Sequence, residues 1–375
     1  MIIPCEAVLL RRHLLPFYGT VIFIAALTAL VAVPLRAQGR KVTKLADGVY
    51  AIEHSESSIG FGNGNTTVIV GERQVFVVDS GFLPSVARED IAQIRQWTDK
   101  PVSFLLNTHF HNDHNLANRV YMDVFPALTI IAHVQTKKEM DMFGPGSLSR
   151  EEKTTDAFQR MLATGKTNSG TYVNVDSRNL TEEEKTELKS VIPQRLAVQE
   201  ELKKLKFQSA TLTFDHDFTL DIGNRLVQVK FLGRGNTAGD SVVYLPKEKI
   251  VVAGDLVAYP IPNTLDGYPS EWTQTLQNLA QLDADTIVPG HGPVLHDKTY
   301  ILLLRDLMKS AVDQLNVKLS QTFPAMFQSL DDVKGAVDLS PFRERFAGKD
   351  KDVAAAFDAM TSRLIKVAFE EATLR

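Results

Sequence analysis

The sequence contains one cysteine among 375 residues. This scarcity excludes an intrachain disulfide framework, because a single cysteine cannot pair within its own chain. The sequence also lacks an excess of positive charge: 41 Lys and Arg face 45 Asp and Glu, and the net charge is -4. No overall positive field therefore attracts nucleic acid or anionic lipid. With 44% hydrophobic and 23% charged residues, the chain is too apolar for intrinsic disorder. Its nine His indicate imidazole chemistry rather than a zinc finger or a redox thiol.

A long apolar run lies near the N-terminus, at residues 14–33, directly after Arg11, Arg12 and His13. Small residues follow it, and this order predicts a signal peptide over residues 1–37 that is cleaved near Ala37. The alternative is an uncleaved membrane anchor, since the run approaches the roughly 20 residues that span a bilayer. Cleavage would remove Cys5 and leave a thiol-free protein suited to an oxidising compartment. We therefore expect a periplasmic or secreted protein.

The remaining chain shows mixed strand and helix patterns. The spacing of apolar residues predicts a helix over residues 84–97. Short β-branched runs predict strands at residues 65–71, 74–79, 101–106, 210–214, 218–222, 226–231, 241–245 and 250–253. These strands form two blocks separated by a helical stretch, so the pattern favours an α+β fold with two half-sheets facing each other and helices outside.

The helical stretch is an insertion at about residues 137–207, rich in Lys, Glu, Gln and Thr. Two capping boxes, Ser149-x-x-Glu152 and Thr181-x-x-Glu184, predict the starts of two helices. Pro193 is expected to kink or end the second helix. Residues 299–375 form a second helical segment, a C-terminal extension. The insertion and the extension suit a lid, an interaction arm or an oligomer interface, and these alternatives stay open.

A histidine-rich turn follows the predicted strand at residues 101–106, with the sequence Asn-Thr-His-Phe-His-Asn-Asp-His over residues 107–114. In an extended backbone residues two apart share a face, so His109 and His111 can converge on one metal ion. Asp113 and His114 can reach another. Three imidazoles and a carboxylate this close together are rarely a packing choice. The turn therefore predicts a metal centre.

Two later strand ends carry further candidate ligands. Asp255 ends the apolar run at residues 250–254, and His291 lies in a glycine-flanked turn after another apolar run. Each signal alone is weak, since an Asp at a strand end more often caps a turn. Together, and in this order along the chain, they point to the same centre.

These motifs resemble the metallo-β-lactamase superfamily from about Gly48 to His291. The resemblance implies a four-layer αββα sandwich over residues 38–298 that binds one or two Zn²⁺ ions in strand-end loops. It assigns six metal ligands: His109, His111, Asp113, His114, Asp255 and His291. Asp255 would bridge the two ions or complete the second. Asp79 would support the site without binding metal.

One presumed ligand departs from the family pattern. Asn236 stands where the family carries the third histidine of the first metal position. A neutral amide oxygen is a poorer zinc donor than imidazole. We therefore expect the second position, with Asp113, His114, Asp255 and His291, to bind metal more tightly. The alternative is a protein that keeps the fold and has lost catalysis.

An intact centre predicts hydrolysis. A metal lowers the pKa of its bound water toward about 7, so hydroxide can attack a carbonyl or ester centre. Asp113 would orient this nucleophile and accept a proton. Asn236, if it is not a ligand, would donate a hydrogen bond to the developing oxyanion.

The substrate is expected to be a small molecule, and a β-lactam is one candidate. Against it, residues 256–262 contain no Lys or Arg to bind a substrate carboxylate. Three aromatic residues suggest an apolar wall or simple packing: Tyr259, Tyr268 and Trp272. A membrane is expected as a partner only through an uncleaved N-terminal segment. A non-catalytic binding or assembly protein is the alternative function.

The other histidines have ordinary explanations. His54, His216 and His296 are predicted to be surface residues. His133 ends an apolar run, and it is either a supporting donor at the site or simply the last residue of a strand.

Overall fold

The computed structural model describes residues 40–54, 62–167, 178–321 and 329–374, and the predicted signal segment lies outside these ranges. The first sheet has seven strands in sequence order: β1 (Arg40–Ala46), β2 (Val49–His54), β3 (Thr66–Val70), β4 (Val75–Val78), β5 (Val102–Asn107), β6 (Thr129–His133) and β7 (Leu212–Phe214). The second has the order β12-β11-β10-β9-β8: β8 (Phe218–Asp221), β9 (Leu226–Lys230), β10 (Val242–Leu245), β11 (Ile250–Ala258) and β12 (Thr286–His291).

Ten helices lie within the described ranges: α1 (Pro84–Trp97), α2 (Asn112–Asn115), α3 (Asn118–Val124), α4 (Val134–Thr164), α5 (Glu182–Leu202), α6 (Pro269–Gln281), α7 (Thr299–Ser320), α8 (Leu330–Lys334), α9 (Ser340–Ala347) and α10 (Lys351–Leu374). The predicted helix at residues 84–97 is confirmed, and the predicted strands are confirmed within two residues at each end, except that β11 continues five residues beyond the predicted end at residue 253. Strands β1, β2, β6 and β12 are not among the eight predicted strands.

Three hydrophobic clusters define the layers. One cluster, including Phe76, Leu106 and Val243, lies between the two sheets. A second packs α1 and α3 on the outer face of the first sheet, around Ile91 and Tyr121. The third packs α6, α7 and α10 on the outer face of the second sheet, and it includes Trp272, Leu304 and Leu364. This order of helices, sheet, sheet and helices confirms the four-layer αββα sandwich.

Parallel pairing brings strand ends to one edge of each sheet. Strands β4, β5 and β6 are parallel, and so are β11 and β12. Every residue of β4 and β11 is buried, as expected of strands covered on both faces. The loop after β5 in one sheet, and the middle of β11 and the end of β12 in the other, carry the candidate ligands. The fold therefore gathers residues that lie far apart in the sequence.

The insertion forms two helices, but only one of the predicted starts is correct. Thr181 and Glu184 cap α5 reciprocally, as predicted. The start predicted at Ser149 is wrong, because that residue lies inside α4, which begins directly after β6 with the His133 side chain accepting a hydrogen bond from Gln135 N. Pro193 does not end α5, which continues to Leu202.

The C-terminal segment is helical, as predicted. Helices α7 and α10 share the cluster on the second sheet, so this segment packs directly on the sandwich. Across the described ranges, no helix combines the length and the apolar character needed to cross a membrane.

Candidate metal centre

The histidine-rich turn lies directly beyond β5. Its first histidine, His109, is fully buried, and the turn then enters the short helix α2, which carries Asp113 and His114. Gly64 approaches the same point from the loop before β3, where a Cβ would lie 2.3 Å from Cε1 of His114. A side chain at residue 64 would therefore collide with the imidazole, which explains why a glycine is needed there.

The first ligand group consists of His109, His111 and Asp255, whose ligand atoms all lie within 4.8 Å of one another. Nε2 of His109 lies 2.9 Å from Nδ1 of His111. Oδ2 of Asp255 lies 3.7 Å from Nε2 of His109. His109 and His111 lie in the turn after β5 of the first sheet, and Asp255 lies in the middle of β11 of the second sheet.

The second group consists of Asp113, His114 and His291, within the same distance limit of 4.8 Å. Nε2 of His291, the last residue of β12, lies 2.9 Å from Oδ2 of Asp113 and 3.3 Å from Nε2 of His114. All six predicted ligands are thus brought together at the facing edges of the two sheets.

Asp255 lies between the two groups. Its Oδ1 is 3.4 Å from Nε2 of His114 and 3.7 Å from Nε2 of His291, while its Oδ2 faces His109. The family resemblance implies either a bridging ligand or a ligand of the second position, and the two oxygens of Asp255 face different groups. A Cβ on Gly290 would lie 2.0 Å from Oδ1, so that glycine leaves space for the carboxylate.

Asp79 orients two of the imidazoles from beneath. It is buried with φ +60, a conformation that Asp tolerates better than most residues. Its Oδ2 accepts hydrogen bonds from Nδ1 of His114 at 2.9 Å and from Oγ1 of Thr108 at 2.8 Å. Because the Thr108 proton points at Asp79, Oγ1 accepts from Nδ1 of His109 at 3.0 Å. In its neutral form each ring therefore keeps its lone pair on Nε2, which faces the centre.

Asp266 orients the third imidazole and was missed by the sequence analysis. Its Oδ2 lies 3.0 Å from Nε2 of His111, so that nitrogen donates and Nδ1 keeps the lone pair facing His109. The two residues are 155 positions apart, and Asp266 stands in a loop without a recognisable motif. No local pattern could have linked it to the centre.

Asn236 is fully buried in the loop between β9 and β10. Its Nδ2 donates a hydrogen bond of 2.6 Å to the carbonyl of Asn263. Its Oδ1 is buried and has no hydrogen-bond partner among the residues that the structure describes. A buried acceptor without a donor is costly, so this oxygen suits a cation or a ligand proton.

The imidazoles of the cluster differ in the direction in which their pKa values are shifted. Burial and the neighbouring charge of His114 hold the pKa of His109 well below its ordinary value. Burial also opposes a charge on His114, but the carboxylates of Asp113, Asp255 and Asp79 outweigh it and raise its pKa well above the ordinary value. A neutral His109 is available as a ligand, and the carboxylates around His114 make its surroundings favourable to a positive charge.

The carboxylates of the cluster are held in their ionised form. Burial opposes the ionisation of Asp113 and Asp255, yet their pKa values are lowered. His114 and His291 provide the main opposing charges. Imidazole nitrogens and carboxylate oxygens are the donors that zinc takes in proteins, so the residues fit the metal.

Two further acids lie near His111. Burial raises the pKa of Asp240 to about 7 and that of Glu139 to about 7, and the charge of Asp240 contributes to the second shift. Thr237 donates to Asp240 through its backbone N and its Oγ1. The wall of the site beside His111 is therefore acidic.

The predictions for the histidines outside the centre are confirmed only in part. His216 and His296 are exposed, as predicted. The prediction for His54 is wrong: it is buried at the end of β2, where its Nε2 lies 3.1 Å from Oδ2 of the fully buried Asp90. A buried carboxylate needs such a partner, and the sequence carries no local sign of it. His133 ends β6, and its ring stacks on Phe231 at 4.2 Å.

The three aromatic residues that suggested a wall have different environments. Trp272 is fully buried in the core behind the second sheet, so packing explains it. Tyr268 lies beneath the guanidinium of Arg234, which also pairs with Glu271. Tyr259 is 39% exposed, and its backbone N donates to the carbonyl of His291 at 3.0 Å. Of the three, only Tyr259 is both exposed and adjacent to the metal-binding residues.

The chain was compared with known proteins. A family model described as the metallo-beta-lactamase superfamily matches residues 59–291, more than half of the chain. A metallo-beta-lactamase type 2 of Bacillus sp. (strain 170) is 35% identical over 96 residues, which cover 24% of this chain and 37% of that protein. A linear primary-alkylsulfatase of Pseudomonas sp. (strain ATCC 19151) is 26% identical over 227 residues, which cover 58% of this chain and 39% of that protein.

The matches therefore span well under half of each of these two relatives. Among solved structures, the crystal structure of VMB-1 has a TM-score of 0.50 at 18% identity and covers 72% of this chain and 97% of that chain. This likeness concerns the fold.

Proposed function

Because the chain belongs to the metallo-beta-lactamase superfamily, we propose that it is a zinc-dependent hydrolase that acts on a small molecule with a carbonyl or ester centre. The observation that carries the proposal is the convergence of four imidazoles and two carboxylates in two adjacent groups. Orientation of three rings by Asp79, Thr108 and Asp266 supports it. Within the first group, the facing nitrogens of His109 and His111 lie 2.9 Å apart, and two lone pairs this close repel unless a cation lies between them.

We propose two Zn²⁺ positions of unequal strength. His109, His111 and Asp255 would hold the first, with Oδ1 of Asn236 as a weak oxygen donor. Asp113, His114 and His291 would hold the second, which Asp255 also reaches. When bound, such ions supply Lewis acidity and make an attacking water more acidic. The second position is expected to be the tighter, because imidazole and carboxylate are better zinc donors than a neutral amide.

Asp113 is the candidate for orienting the attacking water. Its side chain is 27% exposed, against 4% for Asp255, so it faces the mouth of the site. The neighbouring imidazoles keep it ionised. An ionised carboxylate accepts a hydrogen bond from water and so directs the oxygen lone pair away from itself, toward a substrate. If Asn236 does not contact metal, the N–H of its amide that Asn263 does not engage would donate to a developing oxyanion.

The substrate class is the least constrained part of the proposal. A β-lactam follows from the Bacillus relative, and a sulfate ester follows from the alkylsulfatase, whose alignment covers 58% of this chain against 24%. The acidic surroundings of His111 and the pairing of Arg234 with Glu271 favour a substrate without a strong negative charge near the first position. We therefore place neutral esters and lactones ahead of both.

The second candidate function is a binding or assembly protein with impaired catalysis. Asn236 favours it, because this residue replaces an imidazole that the family resemblance assigns to the first metal. The two candidates differ in turnover.

The test is metal analysis combined with a substrate panel. Purified protein should contain zinc, and it should hydrolyse at least one of nitrocefin, a phenyl ester, a lactone and an alkyl sulfate. A chelator should abolish this activity, and added zinc should restore it. Bound zinc without turnover on any substrate would favour the binding protein, and absence of zinc binding would reject the metal centre.

We also propose export through residues 1–37, with cleavage near Ala37. The N-terminal sequence of the protein recovered from the periplasm or medium would begin close to Gln38. Recovery of the intact chain in the membrane fraction would instead favour an anchor.

A further inference from the structure

The three oriented imidazoles are held from two different sides. Asp79 acts on His114 directly and on His109 through Thr108, and all of these residues belong to the first sheet and its loops. Nδ1 of His111 lies 2.9 Å from Nε2 of His109, but neither Asp79 nor Thr108 contacts the His111 ring among the hydrogen bonds described. Its Nε2 instead donates to Asp266, which belongs to the loop after β11 in the second sheet.

The loop that carries Asp266 is tied down on both sides of this residue. Before it, the carbonyl of Asn263 accepts the 2.6 Å hydrogen bond from Nδ2 of Asn236, and Oδ1 of Asn263 accepts from Leu265 N at 3.2 Å. After it, Tyr268 N donates to the carbonyl of Gly235 at 2.8 Å. Both external ties go to the loop between β9 and β10. The position of the Asp266 carboxylate is thus determined by the backbone around it.

Asn236 therefore links the altered ligand position to His111. Its amide holds Asn263, and three residues further along the chain the carboxylate of Asp266 holds the ring of His111. The ring of a metal-binding histidine needs such an acceptor, because the hydrogen bond selects the tautomer and keeps the lone pair on target. A position that lacks a third imidazole depends more strongly on the orientation of the two that remain.

We propose that Asp266 is a positioning residue for the first metal position, and that Asn236 fastens the loop that presents it. Asp266 selects the tautomer of His111 with the proton on Nε2 and the lone pair on Nδ1. The inference rests on the proposed metal centre. It adds a residue outside the ligand set and gives Asn236 a role that does not require it to contact metal.

The experiment measures zinc affinity of the metal-free protein by competition with a chromophoric chelator, for the wild type, Asp266→Ala and Asp266→Asn. Asp266→Ala is expected to weaken the weaker of two zinc equivalents about 10- to 100-fold, the usual loss when such a partner is removed. The tighter equivalent should change little. Asp266→Asn should keep most of the affinity, because its Oδ1 still accepts from Nε2 of His111.

A matched control is Asp215→Ala. Asp215 also pairs with a histidine, His216, at 2.6 Å, but that pair is exposed and neither residue belongs to a ligand group. Its removal should leave both zinc affinities unchanged. Thermal unfolding of every variant verifies that the fold is kept. The positioning role is supported if zinc affinity falls only in Asp266→Ala and the melting temperature of that variant does not fall.

A second readout separates this inference from the proposed function. Nitrogen NMR of the histidine rings in metal-free protein, on the alkaline side of their titration, should show His111 protonated on Nε2 in the wild type and a mixture of tautomers in Asp266→Ala. If the wild type binds no zinc, the proposed function fails while this spectrum still decides the role of Asp266. Equal zinc affinities and equal tautomers in the wild type and Asp266→Ala would overturn the inference.

Discussion

Both flanks of the candidate metal centre orient imidazole rings, but one flank is buried and the other reaches the surface. The first-sheet flank, formed by Asp79, Thr108 and His114, is buried, and the side chain of Asp79 is only 2% exposed. The second-sheet flank, formed by Asn236, Asn263 and Asp266, ends in a carboxylate that is 41% exposed. Each flank orients imidazole rings, one from the interior and the other from a surface loop.

This difference in burial indicates which flank contributes more to the stability of the fold. Asp79 accepts three hydrogen bonds, including one from the backbone N of Thr108 at 2.8 Å, in surroundings of low dielectric where such bonds are strong. Asp266 accepts its bond beside solvent, where water can replace it. We therefore expect the first-sheet flank to control folding and metal binding together, and the second-sheet flank to control metal binding alone.

The largest effect is expected from Asp79→Ala. It would leave a backbone N–H, a hydroxyl and an imidazole N–H buried without their acceptor, at about 1–3 kcal/mol for each unsatisfied group. The free energy of unfolding should fall by at least about 3 kcal/mol. Denaturation in urea measures it.

Asp79→Asn is the matched control. Asn tolerates the left-handed backbone at this position and keeps one acceptor, so it should lose less stability than Ala. Equal stability of Asp79→Ala and wild type would contradict the importance of the first-sheet flank.

The next largest effect is expected when one histidine is removed from each ligand group in turn. His114→Ala removes a ring from the second group, and His111→Ala removes one from the first. The former should abolish the tighter zinc equivalent and the latter only the weaker one, with activity falling more than about 100-fold in both. Zinc titration of the two variants distinguishes the groups. Loss of the same equivalent in both would mean that the groups form a single site.

Asn236→His is expected to strengthen zinc binding at the first position rather than to weaken it. An imidazole at this position is a better zinc donor than an amide, so the weaker equivalent should bind roughly tenfold more tightly, or about 1.4 kcal/mol. Asn236→Ala should weaken it, because both the buried oxygen and the tie to Asn263 are lost. Chelator competition measures both variants. Unchanged affinity in Asn236→Ala would remove this residue from the centre.

The smallest effect is expected away from both flanks, in the insertion. Thr181→Ala removes the reciprocal cap of α5 and should cost about 1 kcal/mol of stability with no loss of zinc affinity. The hydrogen bond from Arg178 lowers the pKa of Glu184 from 4.5 to about 2. Because its pKa is lower in the folded protein, Glu184 stabilises the fold above about pH 4.5 and loses this contribution as the pH falls toward 2.

Comparison of Glu184→Gln with the wild type across this pH range measures that contribution. The difference in unfolding free energy should shrink as the pH falls. A difference that is constant with pH would contradict the assignment to the ionised carboxylate.

Features governed by near neighbours in the chain could be predicted. The reciprocal cap at Thr181 requires only four consecutive residues, and short runs of β-branched and apolar residues determine that β3, β4 and β10 become strands. The capping pattern at Ser149 failed for a tertiary reason. Helix α4 starts earlier, where Thr136 Oγ1 donates to the carbonyl of Gly239 at 2.7 Å and ties the helix to the loop beside the centre.

The sequence by itself determined the histidine-rich turn, because residues 109–114 are neighbours whatever the rest of the chain does. The order of the motifs also pointed to Asp255 and His291, and the family resemblance singled out Asn236. Only the tertiary structure decided that Asp255 lies between two ligand groups and that Asp266 reaches His111 across 155 residues. Hydrogen bonds that select a ring tautomer act over about 3 Å, and residues that far apart in sequence meet at that distance only when the two sheets pack face to face.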